Sequence, residues 1–319
     1  MTALRPAGGE EGSQRKLRER RAMALAALSA DEQCIIFSRL CNPVEPRVAI
    51  YFSGASHELW APSSMKALRQ QLKAEYQAAA ALCRKVGMRS CKELREAISV
   101  YWSDKHLSAA ELTTLGELGS VLPALEELRF FERSASADCV QRLTAGLGAG
   151  ALPAVTVVAL TDTRVGDLGA SALAAALGRG ALPRLEILIL NGCGIGDAGQ
   201  MALAPALRRL PALRRLALVG NSLGDEGLAA LVAPPPPADA LSPPTVGLAK
   251  LEELFLSRTQ ITDAGCAALA SALDSSTLPA LKLLDLSGIP ASAAAKAAVR
   301  LKCVAMCGAV MVPSATRRM

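Results

Sequence analysis

Seven stretches of the chain carry the same ordering of apolar and polar positions. They begin at Leu94, Leu122, Leu152, Leu182, Leu210, Leu248 and Leu278, so the spacings are 28, 30, 30, 28, 38 and 30 residues. The fullest form opens Leu-Pro-x-Leu, as in LPRLEILILNGCGIGDAGQMALAPAL from Leu182. Leu185, Leu188 and Leu190 have L-x-x-L-x-L spacing, and the last two alternate as a short strand with one buried face requires. Cys193 and Asn221 follow at a position where an inward-turned side chain bonds loop backbone, and Ile195 and Leu223 return to the core. Asp167, Asp197, Asp225 and Asp263 recur two residues before Gly169, Gly199, Gly227 and Gly265. Each Asp reads as an N-cap that accepts from the free N–H groups of its own new helix. Leu173 and Leu177, four apart, share a face of that helix. Gly178 and Gly180 permit a left-handed exit, and the Pro of the next Leu-Pro stops the helix.

One such unit cannot bury both of its faces. Stacking the units gives an α/β solenoid, with a curved parallel sheet inside, helices outside and leucine layers between. The unit at Leu94 is recognisable only by register, through Ala97, Val100, Trp102, Leu107 and Leu115, and reads as a degenerate cap. The last unit is truncated, and Ala291 to Val312 reads as a capping helix with an irregular tail.

Residues 15–88 carry a helical pattern. Ser63 and Ser64 follow Pro62 and offer a cap. Met65, Leu68, Leu72, Tyr76, Ala79, Cys83 and Val86 then recur at steps of three or four until Gly87. The expected organisation is a basic, flexible or helical stretch at 1–27, a helical segment at 28–90, repeats at 91–290, and a cap with tail at 291–319.

Composition narrows the chemistry. The chain has 319 residues, is 51% hydrophobic and only 3% aromatic, so its core is mostly Leu and Ala. A formal charge of +6 is too modest to imply nucleic acid without a clustered basic face. The clearest cluster, Arg15 to Arg21, reads as a solvated helix start, with a nuclear signal as the alternative. Nine cysteines without a C-x-x-C pair, and a start lacking an apolar leader, point to a reducing, intracellular and cytoplasmic setting. The longest apolar run, Cys303 to Val312, is too short to span a bilayer.

Candidate chemistry is sparse. Gly194-Ile-Gly196-Asp-Ala-Gly199 has the letters of a dinucleotide fingerprint between a strand and a helix. Gly166-Asp167-Gly169 and Gly224-Asp225-Gly227 repeat most of it, so repeat geometry accounts for it. His57 and His106, the two histidines, lie in different segments. Cys303 and Cys307 share a helix face without nearby ligands, and Cys34 and Cys41 read as helix-core residues. No catalytic group, metal site or cofactor is expected. Pro234 to Pro237 with Pro243-Pro244 read as a stiff insertion that lengthens one unit.

The 28–30-residue unit resembles the ribonuclease-inhibitor-type class of leucine-rich repeats, over roughly Leu94 to Ile289. Arg133, Thr163, Thr259 and Ile289 depart from its Asn/Cys position, so a continuous buried Asn ladder is not expected. LSADEQCIIFSRLCNPVEPRVAIYFSGASHELW, from Leu28, resembles an F-box. Leu28, Asp31, Glu32, Ile36-Phe37-Ser38-x-Leu40, Pro43, Arg47 and Leu59 carry that likeness. It implies a three-helix module docking a Skp1-like adaptor of a ubiquitin ligase through Ile36, Phe37, Leu40 and Pro43. Ser29 replaces the usual Pro, Ala30 is an extra residue, and the later Val-Cys-x-x-Trp element is absent. The alternative for the same segment is a helical cap over the first strand. The whole arrangement also resembles F-box-like repeat paralogues of phytoplankton, which implies no activity. The repeat class is shared with Ran GTPase-activating proteins, implying a small GTPase as partner, although this chain ends Thr316-Arg317-Arg318-Met319 rather than in an acidic tail.

By register, the outward strand residues line the concave face. Tyr101, Arg129, Phe131, Ile189, Arg215 and Phe255 are its expected partner-binding residues. The leading expectation is a non-enzymatic scaffold for a protein partner. An F-box-type receptor and a GTPase activator are the alternatives; neither nucleic acid nor membrane is expected.

Overall fold

A computed structural model describes residues 29–53, 63–133, 138–233, 248–275, 277–307 and 310–311. Residues 1–27, His57, Leu59 and the proline tract at 234–244 lie outside the described residues. The chain forms two compact units, Met1–Ala81 and Leu82–Met319.

In the first unit, α1 (Ala30–Leu40) and α2 (Arg47–Ser53) precede the long α3 (Ser63–Val86), whose last turns belong to the second unit. Ser29 starts α1 through a capping box. Its Oγ accepts from the Glu32 N–H at 3.3 Å, and Glu32 Oε2 accepts from the Ser29 N–H at 2.8 Å. Phe37, Ala49 and Leu72 form a small core, with Cys34, Leu40, Cys41, Phe52 and Leu68 against it. The helical pattern of 15–88 is interrupted at Asn42, whose Oδ1 accepts from the Val44 N–H at 3.0 Å between two prolines. Along α3 the expected stripe holds at Leu72, Ala79, Cys83 and Val86. Tyr76 is exposed, and Leu82 is buried instead. Gly87 ends α3 in the left-handed region, at φ +90°.

The second unit is the repeat array. Among the described residues, eight strands pair in parallel and in chain order: β1 (Ser99–Ser103), β2 (Glu127–Phe131), β3 (Val157–Thr161), β4 (Ile187–Ile189), β5 (Arg215–Ala217), β6 (Glu253–Phe255), β7 (Leu283–Asp285) and β8 (Val310–Met311). The helices are α4 (Cys91–Glu96) before β1, then α5 (Ala109–Glu117), α6 (Cys139–Ala145), α7 (Gly166–Gly178), α8 (Asp197–Leu207), α9 (Asp225–Val232), α10 (Asp263–Asp274) and α11 (Ala293–Cys307) after successive strands. Val100, Leu128, Val158, Leu188, Leu216, Leu254 and Leu284 are register partners from strand to strand, and all are buried. Each fills the space between its own helix and the neighbouring layers, which is why no unit is stable alone. At the degenerate first unit Trp102 substitutes bulk for leucine and packs 5.3 Å from the Phe130 ring. The C-terminal expectation needs correction. The capping helix α11 is present, but Val310–Met311 then adds a short parallel strand to β7 rather than an irregular tail.

The aspartates also need correction. Each lies in the first turn of its own helix and caps the helix of the next unit. Asp167 Oδ1 accepts from the Gly196 and Gly199 N–H groups at 2.7 and 3.0 Å, and Asp197 Oδ1 from Gly224 and Gly227 at 2.7 and 2.9 Å. Asp225 Oδ1 accepts from Thr262 and Gly265 at 2.8 and 2.9 Å, and Asp263 from Ser292 at 2.5 Å. This explains the Asp-x-Gly spacing. A Cβ at Gly227 would stand 2.6 Å from Asp197 Oδ1, so glycine makes room for the carboxylate of the preceding unit. Arginines do the complementary work at the other helix ends. Arg179 Nη2 donates to the Thr144 and Leu147 carbonyls at 2.9 and 3.1 Å, and Arg208 Nη1 to Ala230 and Ala233 at 2.8 and 3.3 Å. Of the two glycines expected at the α7 exit, Gly180 is left-handed, at φ +87°, whereas Gly178 stays within the helix.

Asn221 behaves as its position requires. It is buried, accepts from the Cys193 and Ile195 N–H groups at 3.1 and 3.0 Å, and donates to the Leu190 and Leu218 carbonyls at 2.6 and 2.9 Å. The neighbouring Cys193 Sγ donates to the Leu160 carbonyl at 3.1 Å, and burial pushes its thiol up to about 12.

Candidate binding surface on the open sheet face

Because strand side chains alternate, one residue in two points away from the leucine layers. The register places Tyr101, Arg129, Ala159, Ile189, Ala217, Phe255 and Asp285 in one row across β1 to β7. Glu127, Val157, Ile187, Arg215, Glu253 and Leu283 form a second row, and Phe131 pairs with Thr161 in a third. All six side chains singled out in the sequence therefore share this face. Tyr101 is 68% exposed; Arg129, Phe131, Ile189, Arg215 and Phe255 are half-buried. Val157, Ala159 and Ala217, small side chains of the same rows, are buried.

Two pairs of charges on this face neutralise each other. Arg129 Nε donates to Glu127 Oε2 at 3.0 Å. Arg215 Nε lies 2.5 Å from Glu253 Oε2, a contact that is an ion pair without the alignment of a hydrogen bond. Both arginine groups near the aromatics lie over rings: Arg133 5.0 Å from the Phe131 centroid, Arg215 6.0 Å from that of Phe255. What remains between the two phenylalanines is an apolar floor of Val157, Ala159, Ile187, Ile189 and Ala217. The sequence singled out the arginines, but the pairing of Arg215 with Glu253 depends on strand register, whereas Glu127 stands two residues before Arg129 on β2.

The rim where the strands begin is different. Glu252 sits between Arg214 and Lys282, accepting from Arg214 Nε at 2.9 Å and Lys282 Nζ at 2.8 Å, and both hold its carboxyl below the usual range. An open depression of about 270 Å³ lies there, lined by Glu186, Arg214, Lys250 and Glu252, and its charges serve the ladder between units.

In the helical unit the F-box-like residues divide. Ile36, Leu40 and Pro43 are half-buried, but Phe37 is fully buried in the small core and is not an accessible contact, a correction to the sequence reading. The exposed apolar side chains of α1 and α2 are Ile35, Val48, Ile50 and Tyr51.

The dinucleotide-like glycines bind the chain itself. A phosphate at a helix N-terminus uses free N–H groups; at Gly196 and Gly199 those groups already donate to the Asp167 carboxylate. Among the described residues, no group of three or more His, Cys, Asp or Glu is placed to hold a metal ion. His106 Nδ1 lies 3.8 Å from Glu132 Oε1. Cys303 is buried, while the side chain of Cys307 lies outside the described residues. Cys41 is half-buried, and burial with the nearby Glu75 pushes its thiol up to about 11. No described helix is long and apolar enough to cross a membrane.

The repeating unit is a leucine-rich repeat, and the array is a leucine-rich-repeat solenoid. The sequence profile of the family described as "Leucine Rich repeat" matches residues 153–174, 182–204, 210–232 and 247–270. Among solved structures the chain is similar to an internalin from Listeria monocytogenes, with 15% identity over 75% of this chain and 64% of that one, at a TM-score of 0.35. It is also similar to the TLR13–ssRNA13 complex, with 19% identity over 63% of this chain and 27% of that one, at a TM-score of 0.34. The chain thus spans less than two thirds of either structure. No curated protein matches it significantly.

Proposed function

We propose that the protein is a non-catalytic scaffold that holds a protein partner on the open face of the repeat sheet. The observation that carries this reading is the apolar floor between Phe131 and Phe255, bordered by arginines whose charge is already matched. An apolar patch with a neutralised polar border is covered by apolar surface at little desolvation cost, and rigid aromatic anchors dominate such interfaces. Affinity purification with the full chain tests it. Phe131→Ala with Phe255→Ala should remove the main captured protein while the melting temperature stays nearly unchanged, since neither ring supports the leucine layers. Capture that survives the double substitution would remove the sheet face from consideration.

A second reading draws on the helical unit. Ile35, Val48, Ile50 and Tyr51, the last 75% exposed, give α1 and α2 an apolar surface suited to a Skp1-like adaptor. In that reading the repeats hold a target for a ubiquitin ligase. Val48→Asp with Tyr51→Ala should abolish adaptor pull-down and spare capture by the sheet face. A GTPase-activating role rests on the repeat class alone, which is weak warrant for function, and a stimulated GTP-hydrolysis assay tests it.

A further inference from the structure

The middle row of the open face alternates large and small across consecutive strands. Arg129, Ala159, Ile189, Ala217 and Phe255 are successive register partners on β2 to β6. The three large side chains are half-buried ridges; Ala159 and Ala217 are 6% and 5% exposed, hollows between them. Neighbouring strands lie roughly 4.8 Å apart, so the two hollows are roughly 9.6 Å apart along the array. We infer, resting on the scaffold reading above, that the partner segment seated here is an amphipathic α-helix crossing the strands, with large apolar side chains at i and i+7 entering the hollows over Ala159 and Ala217.

The periodicities decide between partner conformations. An α-helix rises 1.5 Å per residue, so i and i+7 are about 10.5 Å apart and share a face; a modest tilt brings them onto the hollows. An extended chain offers same-face side chains about 6.7 or 13 Å apart and matches neither one nor two strand steps. From the Arg129 ridge to the Phe255 ridge is four steps, roughly 19 Å, which takes a helix of about 13 residues. Charge sets its direction. Glu127 and Glu253 are matched by arginines, whereas Asp285, at the far end of the same row, makes no ion pair among the described residues. A helix N-terminus carries positive partial charge, so the N-terminal end of the partner lies toward Asp285 and its C-terminal end toward Arg129.

The test selects binders to the full chain from a display library of Ala/Lys/Glu-framework helices of about 18 residues, randomised on one face. Enriched helices should carry large apolar residues seven apart. Filling a hollow with Ala159→Met or Ala217→Met should weaken them at least tenfold at unchanged melting temperature; either variant suffices if the other folds poorly. Moving a lysine pair from the N-terminal to the C-terminal turn should also weaken binding. Enriched sequences that alternate every second residue, or that ignore filled hollows yet lose binding on Phe131→Ala with Phe255→Ala, overturn the helical occupant and leave the scaffold reading standing. Binders indifferent to both sets of substitutions overturn both. A selection that enriches nothing above the starting framework also overturns the helical occupant.

Discussion

Gln200 is fully buried on α8, and neither end of its amide has a hydrogen-bond partner among the described residues. It stands three residues after Asp197, where the other units place Ala170, Leu228 and Cys266, all buried. A buried amide without partners costs about 1–3 kcal/mol, while an apolar side chain of similar length keeps the packing. Gln200→Met should therefore raise stability by about 1–3 kcal/mol in chemical denaturation; a loss of stability would mean that the amide is satisfied in solution. Leu188, at 0% exposure between stacked units, marks the opposite case. Leu188→Ala should cost about 2–5 kcal/mol, and an unchanged melting temperature would contradict the stacking. The two residues differ in how far the sequence reveals them. The L-x-x-L-x-L frame identifies Leu188 directly. Gln200 sits in a polar-tolerant helical pattern and becomes visible only when the units are superposed on their aspartates.

The trans caps are properties of pairs of elements, which is why the sequence reading was half right about them. The Asp-x-Gly spacing marks a helix start correctly, but it cannot say which helix receives the carboxylate, because every unit offers an equivalent set of N–H groups. Asp225 gives the clearest test. Desolvation alone would raise its pKa, yet hydrogen bonds from the Thr262 hydroxyl and N–H and the Gly265 N–H outweigh it and hold the carboxyl below its ordinary value. A depressed folded-state pKa contributes stability above the unfolded value and loses it as pH falls through the folded one. Asp225→Asn should therefore lower the melting temperature at neutral pH. The gap from the native chain should begin to close below about pH 4 and vanish at still lower pH. A gap that stays constant from pH 7 to pH 3 would show that the carboxylate charge does not support α10.

For the whole molecule, the number and phase of the repeats were legible because seven apolar frames recur, whereas β8 was not, because Val310–Met311 carries no frame and earns its place only by pairing with β7. The surface pairing of Arg215 with Glu253 was hidden for the same reason, since it follows from register between units. Stacked repeats are held by nearest-neighbour contacts, so cooperativity measures how strong those contacts are. The cysteines report on it. The eight described cysteines are thiols, and Cys139, Cys193, Cys266 and Cys303 are buried in four different repeats. Burial pushes the Cys193 thiol up to about 12 and raises that of Cys266, so these two thiols need local opening before they react with an alkylating reagent. In the native chain the four should become reactive together as denaturant rises, because leucine layers and aspartate caps cross every interface. Asp197→Ala removes the caps on Gly224 and Gly227, where helix starts lose about 0.5–2 kcal/mol. That weakens the interface between the units of β4 and β5. Labelling resolved by peptide mass should then split into two groups, Cys139 with Cys193 and Cys266 with Cys303, each at its own denaturant concentration. If the four still react together, the carboxylate serves only the helix it touches. If they already react separately in the native chain, the array is held by leucine layers too weak to couple it, and the caps are not what joins its halves.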